Sequence, residues 1–248
     1  MAGFCYILSS MTEGPQKLRM QRSPKSTRSE TLILKDGKKI SAGGGMATGG
    51  VFQAEGQFEG DWRRRKMPVV IKAYERSGHE IFPSIAETHK SALKDKIRVP
   101  RTLRYNVEEG MIVLTDLNAR GHVALSFNTP SELIAENSLT ELPGFEQTAK
   151  DIFTHAAYAA SKNYAILADG YFVMVPTKEK EKTDFVVGDL QSLVKRTEPD
   201  PPGMSLRVYN LKGARRFLDG FCRIWLTEDV QERYLDMIEK IEAGIPLK

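Results

Sequence analysis

Three side chains stand where phosphoryl chemistry could use them. Asp169 precedes the apolar run Tyr171-Phe-Val-Met-Val175, Asp189 follows Phe185-Val-Val-Gly188, and Lys72 sits inside Val69-Val-Ile-Lys-Ala-Tyr74. Moving a phosphoryl group needs a cradle for phosphate oxygens, a cation on them, a carboxylate for Mg²⁺ and a carboxylate to orient the attacking hydroxyl. The cradle candidates are Gly43, Gly44, Gly45, Gly49 and Gly50, in a stretch that continues into Val51-Phe-Gln-Ala54. Glycine lets backbone N–H groups approach and line up on an anion. Glycine-rich segments are often only flexible loops, so this stretch gains meaning from the lysine strand that follows it.

Lys72 needs a partner or an anion, because an unpaired buried charge is costly. Its alternative is to snorkel from a strand edge to water. Glu87, fifteen residues later on the first full helix, is the partner candidate; otherwise it is a solvated helix carboxylate. Asp169 and Asp189 flank one charged hairpin. An acid before its first strand and an acid after its second strand land at the same end, within reach of one substrate. Aspartate also serves simply to form turns, so the two acids argue for function only as a pair.

The elements that must position these residues follow from period and punctuation. Residues 31–40 read as a hairpin turning at Asp36-Gly37. Val51–Ala54 and Val69–Tyr74 read as strands, with a polar loop between them that holds the basic run Arg63-Arg-Arg-Lys66. A helix starts at Phe82-Pro83 and runs to about Lys96. Residues 99–107 and 110–117 alternate as two antiparallel strands. Residues 118–144 read as loop and short helix, and Phe145 to Asn163 as a long helix. Residues 165–175 are apolar and β-rich, residues 184–189 form a short strand, and helices over about 211–226 and 228–243 close the chain.

The chain's 248 residues, 41% hydrophobic and 27% charged, have ordinary globular composition. No apolar run approaches the length of a membrane span. Two cysteines, Cys5 and Cys222, do not make a disulfide framework, which suits a reducing compartment. The four histidines are scattered and form no metal pattern. The net charge of +4 is uneven: residues 1–40 hold eight Lys/Arg against three Asp/Glu, leaving 28 against 29 in the rest. Residues 1–30 therefore read as a disordered basic leader. Nucleic-acid binding would rest only on that leader and on Arg63–Lys66, and is not favoured.

The glycine-rich loop (Ile40 to Ala54), the lysine strand (Val69 to Tyr74), the glutamate helix (Ala86-Glu-Thr-His-Lys-Ser-Ala-Leu93), the strand Met111 to Leu117, and the segments Ala168-Asp-Gly-Tyr-Phe-Val-Met-Val175 and Val187-Gly-Asp-Leu-Gln191 together resemble the protein-kinase-like superfamily. The resemblance covers about residues 40–195 and looks nearest to the minimal atypical kinases among bacterial type III secretion effectors. It implies an α+β, two-lobed kinase-like fold, with a β-rich N-lobe carrying one helix over 31–117 and a small helical C-lobe over 118–248. It implies ATP with Mg²⁺ or Mn²⁺ as cofactors, Asp169, Lys72 and Glu87 as catalytic residues, and Asp189 as the metal ligand. The glycines, Val51, Thr115 and Leu117 would contact the nucleotide, with a protein hydroxyl as acceptor. The compartment would be cytoplasmic, or a host cytosol for an effector. The chain departs from the pattern: Leu167-Ala168-Asp169 replaces His-Arg-Asp, Met174 replaces a metal-binding asparagine, and Asp189-Leu190-Gln191 replaces Asp-Phe-Gly. A degenerate pseudokinase that binds a partner is one alternative. A small-molecule kinase is another, although its His-Gly-Asp signature is missing.

Overall fold

A computed structural model describes residues 16–41, 48–59, 66–74, 81–127, 139–178, 181–197 and 204–245. The chain divides into two units: residues 1–90 with 100–119, and residues 91–99 with 120–248.

In the first unit six strands each turn one face towards a shared interior. They are β1 (Gln16–Gln21), β2 (Ser29–Ser41), β3 (Thr48–Phe58), β4 (Met67–Tyr74), β5 (Thr102–Asn106) and β6 (Met111–Thr115). Leu18 and Met20, Leu32 and Leu34, Phe52, Ala54 and Phe58, Val69, Ile71 and Ala73, and Met111 and Val113 form one buried cluster. The two-residue period means that a strand burying one set of side chains exposes the next. The strands pair in the order β1-β2-β3-β4-β6-β5, and the ring closes where Gln21 of β1 meets Tyr105 of β5. Gly56 points into this ring. A Cβ there would lie 3.2 Å from Val69 and 3.3 Å from Leu32, so a side chain would crowd both.

The outer face of β4, β5 and β6 is also apolar. Helix α1 (Phe82–Lys94) covers it with Phe82, Ala86 and His89. The Tyr74 and Phe82 rings lie 5.2 Å apart, and His89 Nδ1 is 2.5 Å from the Thr102 hydroxyl. Asp36 takes a left-handed φ of 55° inside β2, at a bulge between Lys35 and Lys38. The Asp-Gly step read as a hairpin turn thus bends one long strand.

The second unit joins helices to two small sheets. β7 (His122–Leu125), β9 (Tyr171–Pro176) and β10 (Asp184–Val187) pair in the order β10-β9-β7. β8 (Tyr164–Ile166) pairs with β11 (Leu193–Lys195). Helices α2 (Phe145–Ser161), α3 (Leu206–Trp225) and α4 (Glu228–Ala243) pack through Phe145, Phe217, Phe221, Trp225, Tyr234 and Ile238. Among the described residues no helix is long and apolar enough to cross a membrane.

The expected fold class is therefore corrected. A two-lobed kinase-like fold has an open β-sheet in its N-lobe and a helical C-lobe. Here the first sheet closes into an antiparallel barrel, and the second unit carries five strands beside its helices. The closing strand comes from the segment read as leader. Its basic residues hid a short alternation, Lys17-Leu18-Arg19-Met20, in which only Leu18 and Met20 turn inward. Residues 1–15 lie outside the described residues. Met20 is fully buried, so Met20→Ala is expected to lower unfolding stability by about 2–5 kcal/mol in urea denaturation. A solvated leader would give no change.

Candidate functional site

Both acids of the sequence argument lie in the second unit, and a buried amide fixes their frame. Asn210 on α3 is fully buried. Its Oδ1 accepts from the Ile166 N–H at 3.0 Å, and its Nδ2 donates to the carbonyls of Ala156 at 3.0 Å and Tyr164 at 2.8 Å. This ties α2 and β8 to α3. Gly213 lets α3 come still closer, since a Cβ there would stand 3.1 Å from the Ile166 carbonyl oxygen. Immediately after β8 a 3-10 turn, Ala168–Gly170, carries Asp169.

The hairpin then brings Asp189 back. β9 and β10 pair in register from Met174 opposite Asp184 to Tyr171 opposite Val187. Beyond that pair the Gly170 carbonyl accepts from the N–H groups of Gly188 at 2.8 Å and Asp189 at 3.3 Å. Two glycines make this closure possible. A Cβ on Gly188 would lie 2.6 Å from the Phe172 ring, and one on Gly170 would lie 2.9 Å from the Ser192 Cβ. Asp189 caps the next 3-10 turn, Leu190–Ser192, by accepting from the Gln191 N–H at 3.2 Å.

That turn delivers Ser192, only 2% exposed, between the two acids. Its Oγ is 2.7 Å from Asp169 Oδ1 and 3.2 Å from Asp189 Oδ2, so those oxygens are no more than about 6 Å apart. Both carboxylates are half-buried. Two negative groups this close, partly shielded from water, favour a cation between or beside them. Two carboxylates suit Mg²⁺ or Mn²⁺, which complete their shell with waters and phosphate oxygens. Among the described residues no group of three or more His, Cys, Asp and Glu gathers as a metal site. A metal here would depend on substrate and water for its remaining ligands. Met174 lies on β9 opposite Asp184, and its thioether is a poor ligand for these cations.

The remaining candidates lie in the first unit. Gly50, with φ 150°, follows a bulge in β3 and pairs with Ala73, and Val51 pairs with Lys72. That φ belongs to glycine. Lys72 alternates with the inward Ile71 and Ala73, so it stands on the outside of the barrel, with Nζ 5.7 Å from the Tyr74 ring centroid. Glu87 is on α1, but its carboxylate is not on Lys72: Oε1 is buried with no hydrogen-bond partner. Instead its charge acts on Tyr105, whose pKa is raised mainly by burial and further by Glu87. Thr115 ends β6 opposite Val69, and Leu117 opens a 3-10 turn. Between them Asp116, unremarked in the sequence, is buried and accepts from Gln53 Nε2 at 2.5 Å and the Asn118 N–H at 2.9 Å. Gly49 lies in β3, whereas Gly43, Gly44 and Gly45 lie outside the described residues, as do Arg63, Arg64 and Arg65. Within each unit, then, Gly50 and Val51 come together with Lys72, and Asp169 comes together with Asp189. Ser192 was missed, although serine three residues after an acid is the signal of such a turn.

Neither a protein-family model nor a curated protein matches this chain.

Burial of two histidines gives the fold a pH dependence. His155 on α2 is buried; its Nε2 accepts from the Arg98 N–H at 3.2 Å, and it lies edge-on to Phe185. Burial, and secondarily the Arg98 charge, lowers its pKa to about 4. Burial likewise lowers His89 to about 4. The unfolded chain binds these protons near pH 6.5. Stability is therefore complete above about pH 6.5 and falls as pH drops towards 4, by roughly 3 kcal/mol per histidine. His155→Gln should flatten part of that loss in urea titrations between pH 7 and 4. Gly188→Ala should cost about 1–3 kcal/mol through the collision with Phe172, read as a lower urea midpoint.

Proposed function

We propose that this protein is an ATP-dependent phosphotransferase acting on a protein hydroxyl. The observation that carries this reading is the convergence of Asp169 and Asp189 on Ser192 at the end of one hairpin. In this reading Asp189 holds Mg²⁺ or Mn²⁺, and Asp169 accepts the proton of the acceptor hydroxyl. The metal, when bound, neutralises charge on the β- and γ-phosphates. The acceptor oxygen forms a bond to the γ-phosphorus, the bond from phosphorus to the β,γ-bridging oxygen breaks, and ADP leaves.

A nucleotide-binding partner module without transfer is the second reading. It is favoured by the Glu87 carboxylate, which does not orient Lys72, and by Met174 in place of an oxygen ligand.

Transfer of radiolabelled phosphate from ATP, to the protein itself or to a cell lysate, separates the two. Asp169→Asn should lower transfer by about 10²-fold or more with nucleotide binding close to wild type. Asp189→Asn should weaken Mg·ATP binding as well as turnover. Mg·ATP should raise the melting temperature of the wild type. A thermal shift with no transfer under Mg²⁺ or Mn²⁺ leaves the partner module standing.

A further inference from the structure

We infer that the end of the barrel crossed by the β1–β2 loop is a docking surface for duplex nucleic acid, held through its phosphates rather than its bases. Residues 16–41 hold eight Lys/Arg against two Asp/Glu, and these are all the basic residues of 1–40. The charge read as a leader therefore belongs to a folded ribbon. Connectivity adds to it. β1 runs towards this end and β2 away from it, so residues 22–28 cross it. β3 ends there, with Phe58 opposite Leu32, and β4 begins there, with Met67 opposite Gly56. β5 begins there too: Thr115, opposite Val69, donates its N–H to the Arg101 carbonyl at 2.9 Å. Arg19, Arg22, Lys25, Arg28, Lys66 and Arg101 thus share one end of the barrel, and all six are exposed.

The acids of this end are already engaged. Glu30 pairs with Arg22 and Arg104, Glu55 with Lys66, and Glu59 with Lys17. Arg19, Lys25, Arg28 and Arg101 have no carboxylate partner among the described residues. The loop that presents two of them is tied down. The Ser26 N–H donates to the Ser23 carbonyl at 3.0 Å, and the Ser26 hydroxyl accepts from the Arg28 N–H at 3.2 Å. Lys25 and Arg28 therefore lose little backbone freedom on binding. The surroundings select the partner. Hydroxyls of Ser23, Thr27 and Thr31 lie among the cations, the mixture that contacts phosphate oxygens. Residues 16–41 contain no aromatic residue, whereas single strands are held by stacking on aromatic rings. Residues 16–38 expose no large apolar side chain, which a membrane-bound surface would insert between lipids. A duplex, already stacked and dense in phosphate, fits what remains.

The test is fluorescence anisotropy of the full chain with labelled DNA and RNA duplexes of about 20 base pairs, each in two unrelated sequences, at about 50 mM salt and above. Both sequences should bind within about two-fold of each other, because phosphates carry no sequence information. Four unpaired cations give an expected slope of log affinity against log salt of about −3 to −4. Lys25→Ala with Arg28→Ala should make that slope shallower by about 2 and weaken binding about ten-fold or more. Both side chains are exposed, so the melting temperature should stay at the wild-type value. Arg233→Ala with Lys240→Ala on α4 removes the same charge from the second unit and should change affinity by less than about two-fold. A preference between the DNA and RNA duplexes names the natural source and supports the surface equally. Absence of duplex binding at the lowest salt overturns the inference, as does an affinity that ignores salt. An equal loss in the α4 variant, or tighter binding to single strands or to phosphatidylserine vesicles than to duplex, overturns it as well.

Discussion

A single buried amide holds the second unit in register. Asn210 makes three hydrogen bonds, to Ile166, Ala156 and Tyr164. Leaving a buried backbone group of β8 without a partner costs about 1–3 kcal/mol, and Asn210 supplies one to the Ile166 N–H and one to the Tyr164 carbonyl. Everything that matters for the carboxylate pair hangs from β8. Its last residue is followed at once by the turn holding Asp169, and its partner β11 follows at once after Ser192. The site is therefore anchored to α3, where Phe217, Phe221 and Trp225 are buried.

Glycine is used in opposite ways in the two units. In the barrel, Gly56 on β3 gives up its side chain where Leu32 of β2 and Val69 of β4 crowd in from the strands on either side. At the hairpin, Gly170 and Gly188 give up theirs so that two acidic segments can be clipped by one carbonyl oxygen. Neither of these three positions owes its glycine to a left-handed backbone. Close approach is the reason in each case, and close approach is invisible until the neighbours are known. The bulge before Gly50 is the contrasting case, where the φ itself demands glycine.

The pairing of Asp169 with Asp189 could be anticipated because it follows from connectivity. Residues flanking a two-stranded hairpin on both sides must end at its open end, whatever surrounds it. Strand and helix positions such as β4, α1 and α2 followed from period for the same reason: burial of one face is a local demand on sequence. Other features depended on distant partners. Leu18 and Met20 are two apolar residues among basic ones, too few to announce a strand, and they become one only because β2 and β5 both leave an edge to fill. β7 pairs with β9 from nearly fifty residues away and was hidden in a segment read as loop. Glu87 sits on the helix where it was placed, yet its Oε1 is buried with no hydrogen-bond partner.

The sequence by itself determined which residues alternate, where most helices run, which residue types could handle a phosphate and a cation, and that two acids share one hairpin end. These are properties of short segments, set by side-chain period and chain connectivity. Only the tertiary structure decided that the first sheet closes into a barrel, that Lys72 stands outside it, and that Ser192 reaches both acids. Closure requires an unpaired edge at each side of the sheet and a strand long enough to satisfy both. The serine requires a turn folded back against a glycine twenty-two residues earlier. Such constraints belong to pairs of distant segments, and no window of sequence contains them.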